Sequence, residues 1–329
     1  MPATASPPFP FHVAHELAVP GQGPLHAMVF SPDGTEAFVA AGHAVTAYAT
    51  DRQTQRATQD FDGRVIALAM STHGKSLYAM TQGPSRLLVL DPRSLKVERQ
   101  RALNVASPSD MFEDEGTHAI IVTARGSRDI LRISTSSLKL EGLTHMDRPV
   151  GQVVSNLRGN LYAATPGRAG IHVIDARSMR RLDDFATPGC TPTGALAMDT
   201  VGRRLFIACR SGQEAILDTD MGFVFRRIQL GSAPGKREVF AFRPAPGSGW
   251  KGGLFVIAGR HVESVRMNAF VRYAYGGSLA LPGILQDVVL SPQAGQLWVS
   301  IGGAHAEDSK TGDARAARII VLSAGGGRP

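Results

Sequence analysis

The chain has 329 residues, 43% of them hydrophobic, with 36 Gly, 20 Pro and a formal charge of +7. Such a composition feeds a large core and a chain that turns every few residues, and it leaves no need for long helices. No apolar run nears the ~20 residues of a membrane-crossing helix, and Cys190 and Cys209 form no CxxC, CxxCH or Cys/His array, which argues against covalent haem and structural zinc.

Residues 1–10 hold four prolines and no charged segment followed by an apolar one, so no secretory signal is read there. A chain whose leader had been cut away would look the same, and the compartment is left open. Residues 11–19 follow as a strand-like segment. Next, Met28-Val29-Phe30 runs into Ser31-Pro32-Asp33-Gly34, where Pro sets φ and Gly is free to take φ > 0, and the chain returns through Ala37-Phe38-Val39-Ala40. That is an antiparallel hairpin.

The returning strand core recurs as Leu77-Tyr78-Ala79-Met80, Ala119-Ile120-Ile121-Val122, Leu161-Tyr162-Ala163-Ala164, Leu205-Phe206-Ile207-Ala208, Leu254-Phe255-Val256-Ile257 and Leu297-Trp298-Val299-Ser300. From Phe38 to Trp298 the steps are 40, 42, 42, 44, 49 and 43 residues, the length of four short strands with turns and the period of a propeller blade. Third strands are read at 87–90, 130–133, 171–174 and 319–322. Asp91-Pro92-Arg93-Ser94-Leu95-Lys96 and Asp175-Ala176-Arg177-Ser178-Met179-Arg180 are nearly one turn, two blades apart. More polar outer strands at 97–103, 180–185 and 224–230 are expected to face solvent. In the sixth unit the hairpin turn swells into residues 243–253, which explains the 49-residue step.

The seventh unit supplies strands at 286–291, 296–301 and 318–323 and then ends without a fourth. Pairing 11–19 with it would close the ring and remove two exposed edges. The expected architecture is therefore all-β: a seven-bladed β-propeller of four-stranded antiparallel blades over residues 11–324, sealed by its N-terminal strand. Residues 1–10 and 325–329 are read as tails.

Ile171-His172-Val173-Ile174-Asp175, Gly23-Pro24 with Ser31-Pro32-Asp33-Gly34, and Leu205-Phe206-Ile207-Ala208 resemble the repeat of YVTN-type β-propellers, a WD-like architecture. The resemblance spans nearly the whole chain, and blade 6 departs from it by lacking the Ser-Pro-Asp-Gly turn and an Asp after strand three. It implies the fold, and a choice of functions: sugar-lactone hydrolases, propeller subunits of amine dehydrogenases, nitrite-reductase haem domains and non-catalytic binding proteins.

In a propeller, loops leaving strand two and segments approaching strand one share one face around the central channel, where ligands are held. Sorted that way, the strand-two exits carry His43, Gln82, Arg125, Arg128, Arg168, Arg210, Arg260, His261 and His305. The approaches add His26, Asp110, Arg148, Gln152, Thr193, Lys236, Arg237, Glu238, Gln286 and Asp287. Arginine forks suit carboxylate and phosphate, so His26, His43, Arg125, Arg168, Arg210, Arg260 and His305 are read as an anion-binding rim for an anionic small molecule or a protein partner.

A hydrolase resembling propeller lactonases would act on an acidic or phosphorylated sugar lactone, with His261, Asp287 and Glu238 as acid/base candidates. A propeller subunit of a redox complex is the third reading. The histidines come from different blades without close pairs, so no metal and no cofactor are assigned. Single-stranded nucleic acid would want stacking platforms, and Tyr48, Tyr78 and Tyr162 read as strand residues instead. Cys190 and Cys209 are expected on one rim, with two semi-buried thiols favoured over a disulfide and the pairing left open. Residues 303–316 are a polar loop expected to overhang the channel.

Overall fold

Strand cores such as Leu77, Tyr78, Ala79 and Met80 are apolar on both faces and buried on both. A strand of this kind needs cover from two sides, and sheets stacked radially like blades supply it. The computed structural model describes residues 9–19, 23–156, 158–199, 203–231, 237–242, 253–267, 273–293, 295–302 and 317–324, with the backbone alone for 237–242 and 267.

Seven four-stranded antiparallel sheets result. Blade 1 comprises Leu25–Phe30, Glu36–Ala41, Ala44–Ala49 and Thr54–Asp60, and blade 2 comprises Arg64–Met70, Leu77–Gln82, Arg86–Leu90 and Val97–Ala102. Blade 3 is Pro108–Asp114, Ala119–Ala124, Asp129–Ser134 and Leu140–His145, and blade 4 is Val153–Ser155, Asn160–Ala164, Ile171–Asp175 and Arg181–Phe185. Blade 5 runs Pro192–Met198, Arg204–Cys209, Gln213–Asp218 and Phe223–Gln229, and blade 6 runs Arg237–Phe242, Gly253–Ala258, His261–Met267 and Tyr273–Ala280. Blade 7 takes Leu285–Leu290, Gln296–Ile301 and Arg318–Ala324 from the end of the chain and Phe11–Ala18 from its beginning. One short 3-10 turn, Glu115–Thr117, is the sole helix among the described residues, and none is long and apolar enough to cross a membrane.

The closing strand pairs antiparallel with Arg318–Ala324, from Phe11 opposite Ala324 to Ala18 opposite Arg318. It buries Phe11 and Leu17 while Arg318 donates to Glu16 at 2.7 Å. The core lies between blades. Trp298 of blade 7, fully buried, stands edge-on to Phe30 and Tyr48 of blade 1 at 5.4 and 6.1 Å between ring centroids.

Turn chemistry follows the sequence. Gly34 and Gly74 both take φ +68°, a region open to glycine. In the duplicated outer turn, Asp91 and Asp175 accept the amides of Ser94 and Ser178 at 2.7 and 2.6 Å. The residue after each serine, Leu95 or Met179, takes φ +59° or +56°, a costly conformation offset by burying its side chain in the core. The sixth-unit swelling, the tails and the 303–316 loop lie wholly or almost wholly outside the described residues.

One regularity is absent from the sequence pattern. Every outer strand carries an extra residue against its neighbour, namely Arg56, Glu98, Glu141, Leu182, Phe225, a Gly276-Gly277 pair opposite Ser264, and Ala14. A bulge bends and twists a strand, which blunts an edge that would otherwise template pairing with another chain.

Candidate functional site

The inner strands are also bulged, with a different consequence. In blades 1, 2, 3 and 7 the register slips at one residue of strand one, respectively His26, Ile66, Ser109 and Gln286. In blade 5 it slips across Thr193, Gly194 and Ala195. A bulge re-aims the side chain it inserts. All of these residues line one cavity of about 630 Å³, together with Arg125, Asp110, Gln152, Thr123 and Asp287. This is the channel mouth, on the face where strand two hands over to strand three. There the Arg210 amide donates to the Thr191 carbonyl at 2.9 Å, joining a strand-two exit to a strand-one approach.

Neighbouring blades are braced along this wall. The Asp287 carboxylate of blade 7 accepts the Met28 amide of blade 1 at 2.9 Å and the amide of Val288 at 2.9 Å. Gln152 of blade 4 repeats the device, its side-chain oxygen accepting the Leu196 amide of blade 5 at 3.0 Å. Gly151 and Gly194 let those two blades approach closely, since a Cβ on Gly151 would fall 2.7 Å from the Gly194 Cα.

Of the candidates named from sequence, His26, Arg125 and Asp287 meet at the mouth. Arg125 is exposed and forms no ion pair among the described residues. Burial, and then the charge of Arg64, holds the His26 imidazole below its ordinary range, so the ring is neutral at pH 7. Among the other described site candidates, Arg168, Arg210, Arg260, His43 and His261 do not line the cavity. Arg168 is ion-paired with Asp147, and Arg210 is exposed against Gly167. Arg260 donates to the Leu281 carbonyl at 3.4 Å. His43 and His261 are exposed. His145, grouped with them by its place in the chain, sits on the outer strand of blade 3 and bonds Asp129 at 2.7 Å. Glu238 lies on the inner strand of blade 6, where only backbone is described, and His305 lies outside the described residues.

Sequence reading passes over Ile66, Ser109 and Thr123. The signal for the first two is positional: each stands just ahead of the apolar run of strand one, as His26 and Gln286 do, and the slip turns that place toward the channel.

One expectation is corrected. Cys190 and Cys209 form a disulfide rather than two thiols. Pro192 pairs with Cys209, which brings the segment approaching strand one of blade 5 alongside the end of strand two, with Cα atoms 5.1 Å apart. That is within bridging range. Both cysteines are buried.

No protein-family model matches the chain, and no curated protein matches it. Among solved structures it is similar to the WD40 repeats of RRP9, with a TM-score of 0.74 and 14% identity over 95% of this chain and 99% of that one. It is similar also to U3-55K, with a TM-score of 0.74 and 13% identity over 94% and 98%. At such identities the likeness concerns the fold. It places the chain among seven-bladed propellers of WD40-like shape.

Proposed function

We propose that this chain is a non-catalytic binding propeller that receives an acidic segment of a protein partner at its channel mouth. The observation that carries the reading is the set of inner-strand bulges, which aim side chains from five blades into one open cavity beside the unpaired-in-charge Arg125. The cavity falls within the size range of ligand pockets. The +7 charge favours an acidic partner. An anionic small molecule would use the same arginine.

The lactonase-like reading, which the YVTN resemblance suggests, needs an acid/base pair. His261 is exposed and outside the mouth, and Asp287 already accepts two backbone amides. The geometry therefore favours binding. A redox-complex subunit would dock its partner on this same face, with no cofactor of its own.

The test is an array of Asp- and Glu-rich peptides probed with the full chain, with hits titrated in solution at low and high salt. Binding that weakens with salt and falls about tenfold or more in Arg125→Glu is expected, the size of a lost charge-assisted contact. Equal binding by wild type and Arg125→Glu would remove the assignment.

A further inference from the structure

His26 and Gln286 occupy the same position in adjacent blades, each the bulged residue of strand one, on the two sides of the seam where the ends of the ring meet. Across that seam the Asp287 carboxylate reaches the Met28 amide. Both side chains line the mouth. His26 Nε2 and Gln286 Oε1 are buried and have no hydrogen-bond partner among the described residues.

An orphaned buried polar atom weakens a fold, and native structures hold few of them. Two in matching positions on one cavity wall, both closed to water in this conformation, point to a partner group that meets them when the side chains turn into the mouth. The Gln286 carboxamide is also seated by a bare neighbour: a Cβ on Gly302 would fall 2.2 Å from its Nε2. A side chain at 302 would displace the amide.

The chemistry of the pair selects the guest. A neutral imidazole offers one donor and one acceptor, and a carboxamide offers both kinds of atom. Neither brings a positive charge for a carboxylate, a task that falls to Arg125 on blade 3. A planar carboxamide presents its donor and acceptor on separate atoms, one for each side of the seam. A hydroxyl would have to serve both sides from a single oxygen.

We propose that His26 and Gln286 form a subsite for an uncharged carboxamide, an Asn or Gln side chain of the inserted segment, distinct from the anion site at Arg125. The assignment rests on the mouth being a binding site, but its test does not depend on acidic peptides.

The experiment records the His26 ring nitrogens, the Gln286 side-chain amide and the Arg125 guanidinium by NMR on the full chain, during separate titrations with acetamide and with acetate. Acetamide is expected to move the His26 and Gln286 signals and leave Arg125 in place, while acetate does the reverse. Gln286→Leu should weaken the acetamide response about tenfold, the worth of one good hydrogen bond. Free His26→Leu and Gln286→Leu should melt no lower than wild type, because a merely structural polar pair would lose stability on replacement. Acetate moving His26 as far as acetamide does, or acetamide moving neither residue, would overturn the subsite. An intact acetamide response in a protein that binds no acidic peptide would support the subsite and count against the acidic partner alone.

Discussion

The junction between blades 4 and 5 and the seam between blades 7 and 1 do the same mechanical work with different chemistry. At both, a side chain on or just ahead of strand one accepts an amide of the next blade, Gln152 from Leu196 and Asp287 from Met28. Blades 4 and 5 are consecutive in the chain, and their crossover is pinned by the Cys190–Cys209 disulfide. The seam joins residues some 260 positions apart, as the Met28 and Asp287 pair shows. It is held by a paired edge strand, an aromatic cluster around Trp298 and side chains such as Gln296, which reaches the Thr50 carbonyl at 3.5 Å. The seam is also where His26, Gln286 and Tyr48 keep polar atoms buried without partners. The covalent lock thus lies at one junction and these three unpartnered atoms at the other, while Arg132, Glu263 and Ser264 keep further such atoms in blades 3 and 6.

Trp298→Ala strikes the seam hardest. It empties the space between Phe30 and Tyr48 at a fully buried site, and a loss of about 3–5 kcal/mol is expected from lost transfer energy and the cavity left behind. Chemical denaturation measures it directly. A loss below about 1 kcal/mol would mean that the paired strand 11–18, rather than the aromatic cluster, holds the ring closed.

Replacing both cysteines by alanine tests the other junction. Their sequence separation of 19 closes a short loop, and removing such a bridge costs about 3 kcal/mol when it acts by restraining the unfolded chain. Denaturation of the double variant beside wild type in the absence of reductant reads the difference. Unchanged stability would show that the Gln152 brace and the Gly151–Gly194 approach suffice to hold blades 4 and 5 together.

The ring was legible in the sequence because most blades repeat one local logic: a tight turn, a two-sided apolar strand and, in blades 2, 4 and 5, an Asp-capped outer turn. Gly34, Gly74, Asp91 and Asp175 behave as their local chemistry requires. The closing strand was legible from a deficit, since blade 7 lacks a fourth strand of its own. The face of the mouth could be sorted by loop order, and His26, Arg125 and Asp287 line its cavity. Which side chains enter the cavity depends on bulges, and a one-residue slip leaves no trace in apolar periodicity. Arg168 illustrates the limit: its ion pair with Asp147 is a contact between loops whose separation no local pattern encodes. The disulfide escaped for a similar reason, because bridging depends on the spacing of two strands and not on their spacing in sequence.

The finest contrast between the two regions uses one substitution at two tyrosines. Tyr48, in strand three of blade 1, is buried beside Trp298 with a hydroxyl that has no partner among the described residues, and burial pushes its pKa up to about 12. Tyr162, in strand two of blade 4, is equally buried in the cluster that holds Cys190, but its hydroxyl accepts a hydrogen bond from Asn156 Nδ2 at 3.3 Å. Removing an unsatisfied buried hydroxyl relieves a desolvation cost, whereas removing a bonded one orphans its donor. Tyr48→Phe should therefore gain, and Tyr162→Phe should lose, about 1 kcal/mol, with opposite shifts in denaturation midpoint. Because both changes delete the same atom from buried sites, differences in apolar area cancel and the sign reports only whether the hydroxyl was satisfied. Two shifts of the same sign would show that the seam is no worse satisfied than the disulfide-pinned junction, and would take away the reason for seeking a guest at His26 and Gln286.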